Sequence, residues 1–598
     1  MIILGISMNV GASAALMIDG KIVAATMEER FNRRKNFDGY PARAVEYCLA
    51  VSGVRPADVD VVAWPDVDSA DPDYFLTHRY SEFSVSDFIR EQEAYWYPRF
   101  YRDETPDFLQ LFPDRIDVDQ FPGRDHLARI AALPDAAARY QALDALRDAF
   151  IEMHVGIPSD KVVRLNHHRC HAAYAACAQA TGDEPRLVFT VDGSGDGENA
   201  TVSRWDGSRL HKLTGTDRFV LGRYYRHATL ILGMRMAEHE FKVMGLAPYA
   251  KPYHSDAPFH VYRDALSMRD GELVSRDKPR DSYFHFKERL KACRFDGIAG
   301  GLQRFAEELL SDWIGSWMAH TGIRHVAVSG GVSMNVKANL SMLERCQPTS
   351  LVVPGSGTDD SLAIGACYLS ALERNQPVFP LESMYLGDDI ATADVERGLA
   401  TLDRGRFDIQ ERVGPDAVAQ QLASGKVIGR CVGRMEFGAR ALGNRSLLAD
   451  PRNPDVVRVI NDKIKGRDFW MPFAPTLLDR AAGEYVQLHA GTNYSAMTVA
   501  APSTAMGRAS IRAALHPADE TARPQILRRE VNPGYYDVID RFSALTGVHG
   551  LLNTSLNLHG SPIVRTVSDA LEVLTSSDID GVVLGESLVM RKDHATST

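Results

Sequence analysis

The segments around residues 465 and 555 carry the side chains best suited to chemistry. Cationic and polar residues lie there among turn-forming residues, and in the second segment they follow a short apolar run. Arginine offers a phosphate a planar fork and lysine offers a mobile point charge, so this set predicts binding of a phosphate-bearing ligand. The residues concerned are Lys465, Arg467, Arg523, Ser555 and Asn557.

A second group of residues has the spacing of metal ligands. His167 and His171 are four residues apart in a helical pattern, which places both imidazoles on one helix face. An HxxxH pair alone is weak evidence, but Asp192 follows a predicted strand and Asp359 lies in a second glycine-rich turn. Two nitrogens and two oxygens suit a divalent first-row metal with open coordination positions. We therefore predict a metal site at these four residues.

Glycine turns near these ligands predict nucleotide contacts. Gly193 directly follows Asp192, and Gly330 and Gly331 form a turn between a predicted strand and a predicted helix. Glycine lets the backbone approach a phosphate closely. Asn335 either caps the following helix or contacts the nucleotide.

The loop GRMEFGARALGNRS is unusually rich in charged and polar residues for a segment with so many apolar neighbours. Arg440 and Asn444 in this loop suit contacts with a phosphate or another polar group of a ligand. The alternative is a solvated surface loop.

Two hairpin patterns predict the elements that position the metal-ligand group. Asp19-Gly20 and Asp206-Gly207 each lie between short apolar runs, and Asp-Gly in that context is a strong hairpin signal. Two such units predict the duplicated α/β core of the actin, sugar-kinase and heat-shock ATPase (ASKHA) superfamily. Two unrelated hairpins are the alternative.

The domain organisation follows from changes in pattern along the chain. Residues 66–160 are rich in aromatic residues, aspartate and proline, and we interpret them as an insertion that binds an acceptor, contacts a subunit or caps the core. Strands and helices alternate again from residue 395, which predicts a separate α/β domain. The expected domains are therefore 1–385 and 395–598.

Composition excludes several classes of protein. The formal charge of −11 argues against electrostatic binding of nucleic acid. No apolar run approaches the roughly 20 residues needed to span a membrane. The seven cysteines form no CxxC pair, so we expect a reduced, cytoplasmic protein without structural zinc.

Several strings resemble one known family over nearly the whole chain. KIKGRDFWMPFAP, TARPQ and LLNTSLNLHG resemble the C-terminal, YrdC-like half of the nodulation-factor and antibiotic O-carbamoyltransferases. EHEFKVMGLAPYAKP and SGGVSMN resemble their N-terminal, ASKHA-type half. Such enzymes move a carbamoyl group from carbamoyl phosphate, through a carbamoyl-adenylate, to a small-molecule hydroxyl.

The resemblance implies a role for each group of residues. It implies that 395–598 form the carbamoyl-adenylate and that 1–385 transfer its carbamoyl group to a natural product such as an antibiotic precursor. It also implies ATP with Mg(II), iron(II) at the metal site and a homodimer. The catalytic residues would be Lys465, Arg467, Arg523 and Asn557, and the ligand-binding ones Gly193, Gly330, Gly331, Asn335, Arg440, Asn444, Ser555 and His559.

The chain departs from the family pattern at a few polar positions. A family His-Asp pair, which includes the candidate base for the acceptor hydroxyl, reads here as Val10-Gly11, and a further histidine reads as Asn36. Two family arginines are replaced by Met471 and His559. These changes leave the general base unassigned. The changes at Met471 and His559 also keep open the activation of a different carboxylate or phosphate donor. A nucleotide-gated binding module, as in the heat-shock ATPases, is a separate alternative.

Overall fold

The computed structural model describes residues 1–180, 182, 184–466 and 468–592, and the side chains of residues 463 and 465 are outside the described part. The chain divides into two compact units, Met1–Leu381 (unit 1) and Glu382–Thr598 (unit 2). Among the described residues, no helix combines the length and the apolar character needed to cross a membrane.

Unit 1 contains two five-stranded sheets with the same topology. In each sheet the first three strands form an antiparallel meander, and two later strands add in parallel beside the first strand. The first sheet has the order β3-β2-β1-β4-β5 and comprises β1 Ile2–Ser7, β2 Ser13–Ile18, β3 Lys21–Met27, β4 Val61–Trp64 and β5 Val162–Arg164. The second has the order β12-β11-β6-β7-β8 and comprises β6 Arg186–Gly195, β7 Glu198–Trp205, β8 Leu210–Thr216, β11 His325–Ser329 and β12 Ser350–Val352. A small ribbon, β9 Ser267–Arg269 with β10 Glu272–Val274, lies between β8 and β11 in sequence. The repeated strand order confirms the predicted duplicated ASKHA-type core.

The first hairpin turn shows why its sequence is Asp-Gly. Asp19 and Gly20 both have positive φ, 48° and 82°, as a two-residue type I′ turn requires. A β-carbon built on Gly20 would lie 2.1 Å from the carbonyl oxygen of Pro377, so a side chain is excluded there. In the second hairpin, Oδ1 of Asp206 accepts the N–H groups of Ser208 and Arg209 at 3.0 and 2.7 Å.

Two buried helices, His167–Cys177 and Leu362–Glu373, pack against each other in the core of unit 1. A β-carbon built on Gly365 would lie 2.3 Å from the carbonyl oxygen of Cys170, so the two backbones nearly touch. Both helices are buried around most of their circumference, as expected for core helices. The other helices of this unit outside the insertion are Glu29–Asn32, Ala42–Val51, Leu221–Ile231, Glu240–Leu246, Pro252–Ala265, Ser282–Arg289, Phe295–Thr321 and Val336–Cys346.

The segment between β4 and β5 is helical and has its own aromatic core. Its helices are Pro72–Thr77, Arg79–Glu82, Val85–Arg90, the π-helical turn Glu91–Trp96, Tyr97–Tyr101, Phe108–Leu111, Arg124–Ala131, Ala136–Arg147 and Ala149–Val155. Inside it, Arg79 forms a buried bidentate ion pair with Glu91, with both N–O distances at 2.8 Å. Breaking such a pair would leave a buried charge uncompensated, so it fixes the conformation of this segment.

Unit 2 is an α/β domain built on one eight-stranded mixed sheet, as the alternating pattern predicted. The sheet has the order β13-β22-β21-β14-β15-β20-β16-β19. Its strands are β13 Phe407–Gln410, β14 Ile428–Cys431, β15 Arg445–Ala449, β16 Ala474–Leu478, β19 Gln525–Leu527, β20 Gly550–Ser555, β21 Gly581–Leu584 and β22 Ser587–Arg591, and a separate ribbon pairs β17 Ala501–Pro502 with β18 Thr521–Ala522. Its helices are Thr392–Ala400, Pro415–Ala423, Asp455–Ile460, the π-helical Asn461–Lys465, Ala482–Tyr485, Ala505–Ser510, Pro533–Thr546 and Val567–Ser576.

Candidate functional site

The four residues predicted as metal ligands lie together in unit 1. His167 and His171 are on the first turns of their buried helix, Asp192 is near the end of β6, and Asp359 begins the short turn that leads into the helix Leu362–Glu373. One ligand atom from each residue lies within 4.8 Å of the other three. Nε2 of His171 is 3.0 Å from Oδ2 of Asp192 and 3.4 Å from Oδ1 of Asp359. The arrangement brings two nitrogens and two carboxylate oxygens to one point.

A second layer of side chains orients the two imidazoles. Nδ1 of His167 lies 2.9 Å from Oδ1 of Asp66, which in turn accepts a hydrogen bond from Nδ2 of Asn9 at 3.2 Å. Nδ1 of His171 is 3.4 Å from Oγ of Ser329. These contacts occupy Nδ1 of both rings and leave Nε2 facing the cluster, the arrangement typical of metal-binding histidines.

The charges of the cluster strongly perturb its titration. Burial opposes a charged imidazole at His167, but the neighbouring carboxylates of Asp192 and Asp66 outweigh burial and raise the pKa of His167 well above its usual value. Burial likewise opposes the ionised form of Asp192, yet hydrogen bonding to the two imidazoles holds the pKa of Asp192 well below its usual value. Burial and the charge of Asp192 raise the pKa of Asp359. The two carboxylates therefore favour a bound positive charge at this point.

The residues present fit a divalent ion. Within the part of the chain that the structure describes, the buried Nε2 of His167 has no hydrogen-bond partner, although it faces both aspartates at 3.6 and 3.8 Å. A buried polar atom without a partner is costly, and a bound cation would satisfy it. The donor set of imidazoles and carboxylates suits divalent first-row ions as a class.

Three predicted glycines lie beside this cluster. Gly330 has φ of 92°, and a β-carbon there would lie 2.3 Å from the carbonyl oxygen of Val191. A β-carbon on Gly331 would lie 3.2 Å from Oδ1 of Asp192. Gly193 follows Asp192 directly, so the two glycine turns meet at the metal-ligand cluster and present backbone rather than side chains there.

Asn335 serves as a helix cap, which was one of its two predicted roles. Its Oδ1 accepts the N–H group of Ala338 at 3.0 Å, and its amide exchanges two hydrogen bonds of 3.0 Å with the amide of Gln303. The histidine between the two ligand histidines also has a packing role. His168 contacts Oγ1 of Thr190 at 2.7 Å, and burial lowers the pKa of His168 to about 3, so its ring is neutral.

The two segments in which the resemblance led us to expect histidines are neighbours. The N–H group of Gly11 donates to the carbonyl oxygen of Phe37 at 3.0 Å, which joins the turn at Val10-Gly11 to the turn at Asn36. A β-carbon on Gly11 would lie 3.1 Å from Cβ of Asp360, the residue after the ligand Asp359. Both replacements therefore fall in one place beside the cluster.

In unit 2, the predicted Ser555 and Asn557 bond to each other. Oγ of Ser555 donates to Oδ1 of Asn557 at 2.6 Å, and Nδ2 of Asn557 donates to the carbonyl oxygens of Leu558 and Ser561 at 3.0 and 2.8 Å. This turn carries His559, which is exposed.

The structure describes some of the other predicted donor-site residues but not all of them. A β-carbon on Gly466 would lie 3.5 Å from Cγ of His559, so the loop between residues 465 and 467 neighbours that imidazole. The side chain of Lys465 and the whole of Arg467 lie outside the described residues. Arg523 is half-buried between β18 and β19, and Met471 is buried.

Arg440 and Asn444 lie in the loop between β14 and β15. Asn444 is buried, and its Oδ1 accepts hydrogen bonds from Arg430 at 2.6 Å and from Asn532 at 2.9 Å. The buried Glu436 accepts three backbone N–H groups of the same loop through Oε1, at 2.6, 3.3 and 3.2 Å. Asn444 is thus bound within the protein, whereas Arg440 is half-buried at the loop. The loop is internally fixed rather than a solvated surface loop.

Comparison with known proteins identifies the family. Residues 2–368 match the family described as carbamoyltransferase N-terminus, and residues 419–591 match the one described as carbamoyltransferase C-terminus. The chain belongs to the carbamoyltransferase family. It is therefore a transferase, and its reaction class is carbamoyl transfer.

Similar proteins cover most of this carbamoyltransferase. Nodulation protein NolNO of Sinorhizobium fredii is 30% identical over 97% of this chain and 79% of its own length. Nodulation protein NolO of Bradyrhizobium diazoefficiens is 32% identical over 72% of this chain and 79% of its own length. Among solved structures, the activator of the 2-hydroxyisocaproyl-CoA dehydratase from Clostridium difficile aligns with 63% of this chain and 96% of its own at 13% identity, with a TM-score of 0.32. The fold assignment therefore rests on the strand order described above rather than on that alignment.

Some residues at the site of this carbamoyltransferase escaped the sequence analysis. Asp66 contacts His167 from a segment far away in sequence, and Asn9 in turn contacts Asp66; neither residue belongs to a recognisable motif. Arg226 was also missed: a β-carbon on Gly193 would lie 2.9 Å from its Cζ. The available signal was a pair of arginines three residues apart, Arg223 and Arg226, which share one helix face.

Proposed function

We propose that this carbamoyltransferase uses ATP to move a carbamoyl group from carbamoyl phosphate, through a carbamoyl-adenylate, to a hydroxyl of a small-molecule natural product. One observation carries the proposal. A single chain combines both carbamoyltransferase family regions, and the first contains a buried cluster of two histidines and two aspartates flanked by glycine turns. An ASKHA-type core with glycine turns suits a nucleotide phosphate.

The first half-reaction is assigned to unit 2, which we take to be YrdC-like. Hydrolysis of carbamoyl phosphate would give carbamate and phosphate, and a carbamate oxygen would attack the α-phosphorus of ATP. The bond to the β,γ-pyrophosphate breaks, and pyrophosphate leaves with the bonding electrons. Lys465, Arg467 and Arg523 would neutralise the charge that develops on the phosphates. Ser555 and Asn557, whose mutual hydrogen bond shapes their turn, would position the donor.

The second half-reaction is assigned to unit 1. The acceptor oxygen would attack the carbonyl carbon of the carbamoyl-adenylate, the bond from that carbon to the phosphate oxygen would break, and AMP would leave while the hydroxyl proton passes to a base. The glycine turns at Gly193 and Gly330 would hold the nucleotide phosphate close to the backbone. Keeping the labile adenylate enclosed would limit its hydrolysis.

The metal-ligand cluster supports this second step. We propose that His167, His171, Asp192 and Asp359 hold iron(II), while magnesium accompanies ATP. A divalent ion at the cluster would supply Lewis acidity and positive charge next to the nucleotide phosphate. Asp66 and Ser329 would keep the Nε2 atoms of both imidazoles directed at it.

A second candidate donor is supported by one observation. Met471, which replaces a family arginine, is buried, and His559, which replaces another, is next to Gly466 in the candidate donor site. A site with fewer fixed cations would suit a different carboxylate or phosphate. A purely nucleotide-gated binding module is disfavoured, because the C-terminal carbamoyltransferase region would have no role in it.

Pyrophosphate release separates these possibilities. Purified protein with ATP, Mg(II) and carbamoyl phosphate should release pyrophosphate and form carbamoyl-adenylate, and omission of carbamoyl phosphate should abolish the release. Release that depends instead on another carboxylate, such as acetate, would establish the alternative donor. A protein that releases no pyrophosphate with any donor does not carry out the proposed reaction.

A further inference from the structure

Two arginines beside the metal-ligand cluster differ from the other cations around it. Arg223 and Arg226 lie on one face of the helix Leu221–Ile231. Among the described residues, neither side chain has a hydrogen-bond or ion-pair partner. By contrast, Arg235, which donates to the carbonyl oxygen of Tyr80 at 2.8 Å, is paired with a carboxylate oxygen of Glu238 at 2.5 Å. Lys35 lies 2.9 Å from the other oxygen of that carboxylate.

Arg226 is the member of the pair that lies next to the metal-ligand cluster. A β-carbon on Gly193, the residue after the ligand Asp192, would lie 2.9 Å from Cζ of Arg226. The side chain is half-buried, and its guanidinium lies 5.8 Å from the ring of Tyr80 on the helical insertion. Burial disfavours the charged form, but nearby Tyr80 and Glu240 outweigh it and raise the pKa of Arg226. Its N–H groups, which no described residue accepts, are therefore available to bind an oxyanion.

Arg223 extends the same positive surface towards the insertion. Arg223 is exposed, but desolvation by neighbouring atoms and the charge of Arg226 lower the pKa of Arg223, so the two guanidinium groups are close enough to repel each other. Tyr80 is half-buried, and its ring is fixed because Arg79 lies 5.0 Å from it while Arg79 is bound to Glu91. In a chain with a formal charge of −11, two neighbouring arginines that make no hydrogen bond or ion pair among the described residues and lie beside the ordered ring of Tyr80 are unusual.

We propose that Arg223 and Arg226, with Tyr80, form an oxyanion subsite for a phosphate, sulfate or carboxylate group of the acceptor. The inference rests on the proposed carbamoyl transfer at the adjacent cluster. The acceptor would then be an anionic hydroxyl compound, for example a phosphorylated or uronic sugar. Its charged group would lie on the arginine pair while a hydroxyl reaches the carbamoyl carbon. Two guanidinium groups form paired, charge-assisted hydrogen bonds with an oxyanion, and they bind it more strongly than any neutral group of a ligand.

Arginine protection tests the subsite without turnover. The full-length protein, loaded with Fe(II) or Mn(II), is treated with phenylglyoxal, and modification of each arginine is followed by peptide mass spectrometry. The probes are inorganic phosphate and glucose 6-phosphate, with glucose as the neutral match, all in the presence of saturating AMP-PNP. Arg263, half-exposed on the helix Pro252–Ala265, is the internal control.

The expected result is that both phosphate probes slow modification of Arg223 and Arg226 by about tenfold, as charge-assisted hydrogen bonds would. Glucose should have no effect, and Arg263 should be unaffected. Arg223→Ala should weaken the protection of Arg226, whereas Arg263→Ala should preserve it. Absence of protection by either phosphate probe would overturn the proposal.

A phosphate group of the nucleotide is the alternative anion for the arginine pair. If AMP-PNP alone protects both arginines fully and added phosphate changes nothing, the pair belongs to the nucleotide and the acceptor proposal is wrong. Pyrophosphate release by unit 2 is measured separately. A failed protection experiment with intact pyrophosphate release therefore refutes the subsite alone, and a loss of pyrophosphate release with intact protection refutes the proposed function alone.

Discussion

Oδ1 of Asp66 lies 2.9 Å from Nδ1 of His167, which joins the start of the helical insertion to a candidate metal ligand. The contact fixes the tautomer of the ring and keeps its Nε2 directed at the two aspartates. It also means that the insertion, whatever it binds, is linked to the position of the metal-ligand cluster.

Asp66→Asn should therefore weaken metal binding without removing a ligand. An amide accepts a hydrogen bond less strongly than a carboxylate, so the basicity of His167 should fall, and loss of such a partner typically costs about 10- to 100-fold in metal affinity. Fe(II) or Mn(II) titration followed by calorimetry measures the change. The exposed Asp68→Asn is the matched control. Equal affinities for wild type and Asp66→Asn would show that this contact has no role in metal binding.

A pH-dependent stability is expected from Glu28. Burial raises the pKa of Glu28 from 4.5 to about 7, although its carboxylate accepts the N–H group of Ala44 at 2.9 Å. The folded state thus holds the proton more tightly than the unfolded state. The resulting stability is fully present below pH 4.5 and is lost as the pH rises through about 7. The loss amounts to about 3 kcal/mol.

Glu28→Gln should remove that dependence, because a neutral amide resembles the protonated acid. Urea unfolding of wild type and variant at pH 5 and pH 8, followed by a probe in unit 1, measures it. The variant should lose less free energy of unfolding than the wild type between the two pH values. The exposed Glu104→Gln should behave like the wild type. Parallel pH profiles for wild type and Glu28→Gln would refute the assignment.

The donor turn in unit 2 offers a gain-of-function prediction. If His559 occupies the position of a phosphate-binding arginine, His559→Arg should tighten carbamoyl phosphate binding, because a charge-assisted hydrogen bond contributes about 1.5 to 3 kcal/mol. The Michaelis constant for carbamoyl phosphate in the pyrophosphate assay should fall by roughly tenfold or more. His549→Arg, at a histidine that bonds Ser543, is the comparison. An unchanged Michaelis constant in His559→Arg would place the donor elsewhere and favour the alternative donor.

Asn557→Ala should act on the same turn in the opposite direction. Its side chain bonds Ser555 and two carbonyl oxygens of the turn, so its removal takes away the 2.6 Å contact with Ser555 and loosens the position of His559. Carbamoyl-phosphate-dependent pyrophosphate release should fall at least about tenfold, since small displacements of a reacting group have large kinetic effects. Metal content should be unchanged, because the cluster is in unit 1. A variant with full release would show that the turn does not position the donor.

The parts of the fold that sequence reasoning predicted depend on local signals. Asp19-Gly20 marks its hairpin because only a few residue types tolerate positive φ at both turn positions. His167 and His171 were predicted to lie on one helix face, because helical periodicity directs residues four apart to the same side. Neither inference needs knowledge of distant contacts.

The rest of the site depends on contacts between segments far apart in sequence. Asp66 is 101 residues from His167, and the insertion between them hides the relationship. The segment around Asn335 indicates its helix cap, but not its paired hydrogen bonds with Gln303, which is 32 residues away. Arg226 looks like a surface residue in its helix until the approach of Gly193 from β6 is known.

The central claim is that the two half-reactions use separate sets of residues, one in each unit. The most direct test of this claim measures the carbamoyl-phosphate-dependent exchange of labelled pyrophosphate into ATP in two variants. His171→Ala, which removes a proposed metal ligand, should retain the exchange at near wild-type rate while losing bound metal and carbamoyl transfer. Arg523→Ala should lose the exchange by at least about tenfold while retaining metal. Loss of exchange in His171→Ala together with retention in Arg523→Ala would contradict the account.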